Sequence, residues 1–144
     1  MSLLEALRDG WGWTGIDFAE IHRVSPMGHL LLSDRDGCFH YLDTELWTIE
    51  AVGDVRAVAA HFAREKTQEV WQAVASVDAA REHLGGCPEG YVYSWKPHAL
   101  IEGDYAYENL WICRLDELIR LTGDLARQTR DLPDGSQIRI RIVD

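Results

Sequence analysis

The sequence predicts an α+β domain: a mostly antiparallel sheet, built from an N-terminal β-meander and C-terminal strands, packed against about three helices. Three observations carry this expectation. Between Phe18 and Glu50 apolar residues come in short runs or with a period of two, punctuated by turn residues. From Asp54 to Leu84 the spacing lengthens to that of helices. From Tyr91 onward strand, helix and strand patterns follow one another, with glycines and prolines at the joints.

In chain order, Ser2 caps a short helix carrying Leu3, Leu4 and Leu7, with Glu5 three residues on as in a capping box, and Gly10 ends it. Trp11 to Gly15 reads as an aromatic-anchored loop, either a contact surface or, as the favoured reading, a plug at the edge of a core. Phe18–Val24 and His29–Ser33 are strands joined by the turn Ser25-Pro26-Met27-Gly28. Asp34-Arg35-Asp36-Gly37 is a hairpin signal, because glycine accepts positive φ. Cys38–Leu42 and Leu46–Ala51 complete the meander around the turn Asp43-Thr44-Glu45. Asp54 is an N-cap for a helix over Val55–Arg64, and Thr67 starts a second that runs to Leu84, where Gly85-Gly86 stops it.

Tyr91–Trp95 alternates as a strand that Pro97 closes, since proline cannot donate to a ladder. The stretch Pro97–Glu108 is too polar for a core element and too aromatic for an idle linker. Leu110–Cys113 is a short strand and Arg114–Arg130 a helix with Leu115, Leu118, Ile119, Thr122, Leu125 and Ala126 inward. Gly123 lies on that stripe, where it permits close packing. Leu132-Pro133-Asp134-Gly135 is a turn, and Gln137–Val143 alternates Ile138, Ile140 and Ile142 with Arg139 and Arg141 as a half-buried strand.

All 144 residues fit one domain, and with 47% hydrophobic residues the chain can bury a core without disulfides or metal. No apolar stretch has the length of a bilayer-spanning helix, and the N-terminus lacks the pattern of a signal peptide. Cys38, Cys87 and Cys113 are odd in number and contain no CxxC pair, so neither a disulfide framework nor a cysteine zinc site is expected. Free thiols point to the cytoplasm. Fourteen Lys and Arg against 24 Asp and Glu give a net charge of −10. Such a surface repels nucleic-acid phosphates and attracts a basic protein.

Enzyme signatures are absent from the sequence. No GxSxG surrounds a serine, no phosphate-binding glycine loop precedes a helix, and Cys87 near His83 matches no cysteine-hydrolase pattern. One metal arrangement is conceivable from assumed registers. If the Asp34–Gly37 turn pairs Ser33 with Cys38, and the preceding turn pairs Val24 with His29, then His22, His29 and His40 gather on one face around Leu31. Three imidazoles are a zinc-ligand set, whereas hydrogen-bonded sheet histidines are the competing reading. No HxH or HExxH motif supports the metal.

A binding surface is better supported. Between Glu89 and Glu117 six carboxylates (Glu89, Glu102, Asp104, Glu108, Asp116, Glu117) face only Lys96 and Arg114, with Trp95, Tyr105, Tyr107 and Trp111 interleaved. Aromatic anchors ringed by carboxylates suit a basic partner. Trp111 reads as core; Trp95, Glu102, Asp104, Tyr105, Tyr107 and Glu108 are the candidate partner-binding residues.

The order of these features resembles a bacterial family: the C-terminal domain of type VI secretion immunity proteins that neutralise DNase effectors, often found after a GAD-like domain. Members show a Tyr-x-Phe-like strand, a Pro-x-x-Leu-Gly-Gly-(acidic)-Tyr loop, an (acidic)-Asn pair, a helix containing Gly-Gln, and Leu-Pro-x-Gly. Here these read Tyr91-Val92-Tyr93, Pro97 to Tyr105, Glu108-Asn109, Leu121-Thr122-Gly123, and Leu132-Pro133-Asp134-Gly135. Upstream, Gly28, Asp34-Arg35-Asp36-Gly37 and Tyr41-Leu42-Asp43 look like the family's early hairpin. Glu102 stands where the first loop glycine is expected, and Asp124 replaces the usual Gln after Gly123. The additional N-terminal domain of many members is not expected in this chain. The resemblance implies a non-catalytic protein without cofactor that binds a cognate toxin, a basic nuclease effector, and touches neither nucleic acid nor membrane. The alternatives are a small metal-binding domain or enzyme using the histidine face, and an accessory scaffold domain unrelated to toxins.

Overall fold

The computed structural model describes residues 2–130 and confirms the α+β class. The expected turn Leu132–Gly135 and strand Gln137–Val143 lie outside the described residues. Helix α1 spans Leu3–Trp11, and the Ser2 hydroxyl accepts from the Glu5 N–H at 3.1 Å, as the capping signal requires. Strands β1 (Phe18–Val24), β2 (Leu30–Asp34), β3 (Phe39–Asp43) and β4 (Thr48–Gly53) form an antiparallel meander in that order. Helices α2 (Val55–Ala63), α3 (Glu65–Gln72) and α4 (Val74–Leu84) follow, then β5 (Tyr91–Trp95), α5 (Pro97–Glu102), β6 (Leu110–Arg114) and α6 (Leu115–Thr129). Strands β5 and β6 pair with each other as a separate antiparallel ribbon.

Two of the six described helices go beyond the four placed one by one along the sequence. The single helix expected from Thr67 to Leu84 breaks at Ala73, whose φ of 43° is left-handed. A short helix, α5, also occupies the polar stretch after Pro97. Ala73 carries a Cβ in a region that favours glycine, so Ala73→Gly is expected to stabilise the protein by about 0.5 kcal/mol despite glycine's unfolded-state entropy. Thermal unfolding followed by circular dichroism checks this, and a lower midpoint would show that the Ala73 methyl contributes more by packing than its backbone costs.

Two cores share the β5–β6 ribbon. Leu30, Leu32 and Leu42 on the inner face of the meander pack with Leu7 and Trp11 of α1 and Ile119 of α6. Val92 and Cys113, directly paired across the ribbon, join this first core. Tyr93, Trp95 and Leu110, on the ribbon's other face, pack with Met27, Val77 and Ala80 in a second core beneath α4. Burial does not alternate along β5, because the ribbon is covered on both sides. On the outer face of the meander, Trp71 meets Tyr41 and Phe62 edge-to-face while Tyr41 and Phe62 are tilted to each other, and the Arg23 guanidinium lies 4.9 Å from the Phe62 ring centre.

Helices α1 and α6 approach at two glycines. A Cβ on Gly123 would lie 2.2 Å from the Gly10 carbonyl oxygen, and one on Gly10 would lie 2.8 Å from the Arg120 Cα. Trp11 Nε1 donates to the Ile119 carbonyl at 3.0 Å and Trp13 Nε1 to the Gly123 carbonyl at 3.1 Å, so both tryptophans rivet the pair. The core-plug reading of the Trp11–Gly15 segment therefore holds. So does the close-packing reading of Gly123.

The histidine face does not form, and the register explains why. The Asp34 N–H donates to the Cys38 carbonyl at 2.9 Å, so Asp34 itself closes the hairpin and Ser33 faces Phe39. At the preceding turn Ser25 bonds to His29 and Val24 faces Leu30. Each junction is one residue away from the expected pairing, and a one-residue slip moves a side chain to the other face. His40 thus sits opposite Leu32 on the inner face, where Asp34 Oδ2 lies 2.9 Å from its Nε2. His29 lies on the outer side, its Nδ1 2.8 Å from the Tyr41 hydroxyl and its Nε2 3.5 Å from Asp43. His22, beside an irregularity in β1, contacts the Ser33 hydroxyl at 2.8 Å. His22, His29 and His40 do not share a metal site.

Candidate partner-binding surface

The segment between β5 and β6 is built from local bonds. Pro97 opens α5 at a position where no N–H is needed. Gly103, with φ of 71°, ends it and donates to the Ala99 carbonyl. The Asp104 N–H reaches the same carbonyl at 3.1 Å, and its carboxylate accepts from the Ala106 N–H at 3.2 Å. Asn109 fastens the far end: its buried amide donates to the Asp104 carbonyl and contacts His98 Nε2, both at 3.2 Å. Its own carbonyl accepts from the Lys96 N–H at 2.7 Å, closing the loop at its base. The Glu108-Asn109 pair therefore serves the loop's shape through Asn109.

On this frame the six candidate residues divide. Tyr105 is 43% exposed and Tyr107 52% exposed, while Glu102, Asp104 and Glu108 lie on the surface. Trp95 is different: only 4% is exposed. Its Nε1 donates to Glu45 Oε1 at 2.7 Å, and the Tyr105 ring stands edge-on to it with centroids 5.2 Å apart. Trp95 is thus the floor under Tyr105, and its ring is withheld from solvent. Trp111 is half-buried against the first core, in keeping with its core reading.

The structure adds two carboxylates that the linear reading missed. Burial raises the Tyr105 pKa, and half-buried Glu45 in the turn after β3 and buried Asp43 at the end of β3 add to the shift. Asp43 also accepts from the N–H groups of Glu45 and Leu46, both at 2.9 Å, which fixes that turn. Nothing local in the sequence signals this approach, because the loop and the turn are some fifty residues apart and meet only through the second core. The surface so assembled presents carboxylates and two tyrosines to whatever approaches it.

Neither Cys113 nor Cys87 is primed as a nucleophile. Burial pushes the Cys113 thiol up to about 12, with smaller contributions from Cys87 and Glu117, and burial likewise raises Cys87. No helix among the described residues is long and apolar enough to cross a membrane. In comparisons with known proteins, no family model matches the chain, and no curated protein matches it at a significant level.

Proposed function

We propose that this chain is a non-catalytic cytoplasmic immunity protein of the type VI secretion family it resembles, binding a cognate nuclease toxin and occluding its active or DNA-binding surface. The observation that carries this reading is the pair of solvent-facing tyrosines, Tyr105 and Tyr107, set among Glu102, Asp104, Glu108 and Glu45 on a loop pinned by Asn109. A hydrogen-bonded loop loses little freedom on binding, so its aromatic anchors contribute more of their contact energy to affinity. Carboxylates around them match a groove built to receive a polyanion, and the net charge of −10 steers such a partner from a distance.

The test is co-expression with the product of the neighbouring gene, followed by a pull-down and a rescue of growth. The expected result is a stable complex that relieves toxicity. Within that complex Tyr105→Ala is expected to cost about 2 kcal/mol, roughly thirtyfold in Kd. Glu102→Lys should chiefly slow association and flatten its salt dependence. Both variants should keep the wild-type circular dichroism spectrum. Full affinity of both at moderate salt would place the interface elsewhere, and a harmless or non-binding neighbour would remove the immunity reading.

A further inference from the structure

We propose that the closed end of the β2–β3 hairpin binds a borderline-soft divalent cation of the zinc class through Asp34, Cys38 and His40. Backbone geometry brings the three together. Asp34 and Cys38 face each other as the closing pair of the hairpin. Strand alternation then places His40, two residues beyond Cys38, on the same side. The donor atoms of all three lie within 4.8 Å of one another. None of these residues belongs to the surface around Tyr105.

The site is stiff before any ion arrives. Asp34 Oδ1 accepts from the N–H groups of Asp36 at 2.9 Å and Cys38 at 3.0 Å, which fixes the carboxylate with Oδ2 directed at His40 Nε2, 2.9 Å away. On the far side of β3 an extra residue in β4 interrupts the ladder between Phe39 and His40. Such irregularities re-aim side chains beside functional sites. A zinc-class ion bonds oxygen and nitrogen at about 2.0 Å and sulfur at about 2.3 Å, so its donors stand roughly 3–4 Å apart. Small side-chain rotations reach that spacing from the observed one.

Donor chemistry chooses the ion. Calcium and magnesium need six or more oxygens, and this cluster offers a single carboxylate. A thiolate and an imidazole select zinc, cobalt or nickel instead. Thiolate and carboxylate together carry the two negative charges that neutralise a divalent ion, which limits the cost of holding it against the inner face of the sheet. On binding, the imidazole nitrogen that meets the ion must be free of its proton, and the Cys38 thiol releases its proton to solvent. Asp34 and Cys38 are each partly exposed, so a fourth position remains open to water or a small anion.

The experiment uses the full chain, without an affinity tag and with its thiols reduced, titrated with zinc ion against a chromophoric chelator and separately with cobalt ion in the spectrometer. One equivalent of zinc should bind, and the cobalt form should show a sulfur-to-metal charge-transfer band. Cys38→Ser is expected to abolish that band and weaken zinc binding about a hundredfold, and His40→Gln or Asp34→Asn to weaken it at least about tenfold. Asp34→Asn keeps the side-chain oxygen that the turn N–H groups use, so it tests the ligand without dismantling the hairpin. A double Cys87→Ser, Cys113→Ser variant and His29→Gln should bind as the wild type does. Absence of stoichiometric zinc binding by the wild type would overturn the proposal, and so would a charge-transfer band that persists in Cys38→Ser.

Discussion

A single methyl group at Gly123 is expected to destabilise the protein by roughly 3 kcal/mol or more. The new Cβ would stand 2.2 Å from the Gly10 carbonyl oxygen and 2.9 Å from the Gly10 Cα, and both are backbone atoms that cannot rotate aside. Helices α1 and α6 must therefore separate along their whole contact. Their separation stretches two bonds at once, Trp11 Nε1 to the Ile119 carbonyl and Trp13 Nε1 to the Gly123 carbonyl. It also loosens Leu7 and Trp11 against Ile119, all of them fully or almost fully buried. For a domain of this size Gly123→Ala should lower the thermal midpoint by roughly 10 °C. Gly12→Ala is the matched control, because no atom lies within 4 Å of its added Cβ and its backbone is right-handed. A midpoint for Gly123→Ala within about 2 °C of the wild type would mean that α1 is not seated on α6 as described.

This contact was legible in the sequence, since a glycine on the apolar stripe of an otherwise regular helix has few other uses. Two helix caps were legible for a similar reason: Ser2 and Asp54 each offer a short oxygen to an N–H three residues on, and both bonds form, whereas Thr67 starts no helix because α3 already begins at Glu65 without a side-chain cap. Strand β5 was legible to the residue. The meander's existence could be read, but its registers could not. Asp34-Arg35-Asp36-Gly37 announces a turn, yet whether Asp34 belongs to the turn or to the strand depends on which N–H groups its own carboxylate captures. That choice displaced His40 from the expected histidine face and left it beside Asp34. The break at Ala73 was hidden for the opposite reason. Alanine is the best helix former, so local propensity argues against the left-handed turn that tertiary packing imposes there. In the candidate surface, exposure of Tyr105 and Tyr107 followed from a polar loop, whereas burial of Trp95 did not follow from alternation in a strand buried on both faces.

Trp95 supplies the second large effect, and it separates a supporting role from a contacting one. Trp95→Ala removes a nearly fully buried indole from the second core and should cost about 4 kcal/mol of stability. Trp95→Phe keeps a ring beneath Tyr105 and loses only the 2.7 Å bond to Glu45, whose partial exposure holds the expected cost to about 1 kcal/mol. Chemical denaturation measures both. Binding to the partner, at a temperature where each variant remains folded, then discriminates. With Trp95 as the floor under Tyr105, Trp95→Phe should bind within a few-fold of the wild type, and Trp95→Ala should lose about as much affinity as Tyr105→Ala, roughly thirtyfold. Combining Trp95→Ala with Tyr105→Ala should then add little, because the first change already releases the side chain that the second removes. Fully additive losses would show instead that the indole itself meets the partner, which its 4% exposure allows only if the loop opens on binding. The double-mutant cycle thus reports whether the surface binds in the form in which it is folded or only after its aromatic floor is uncovered.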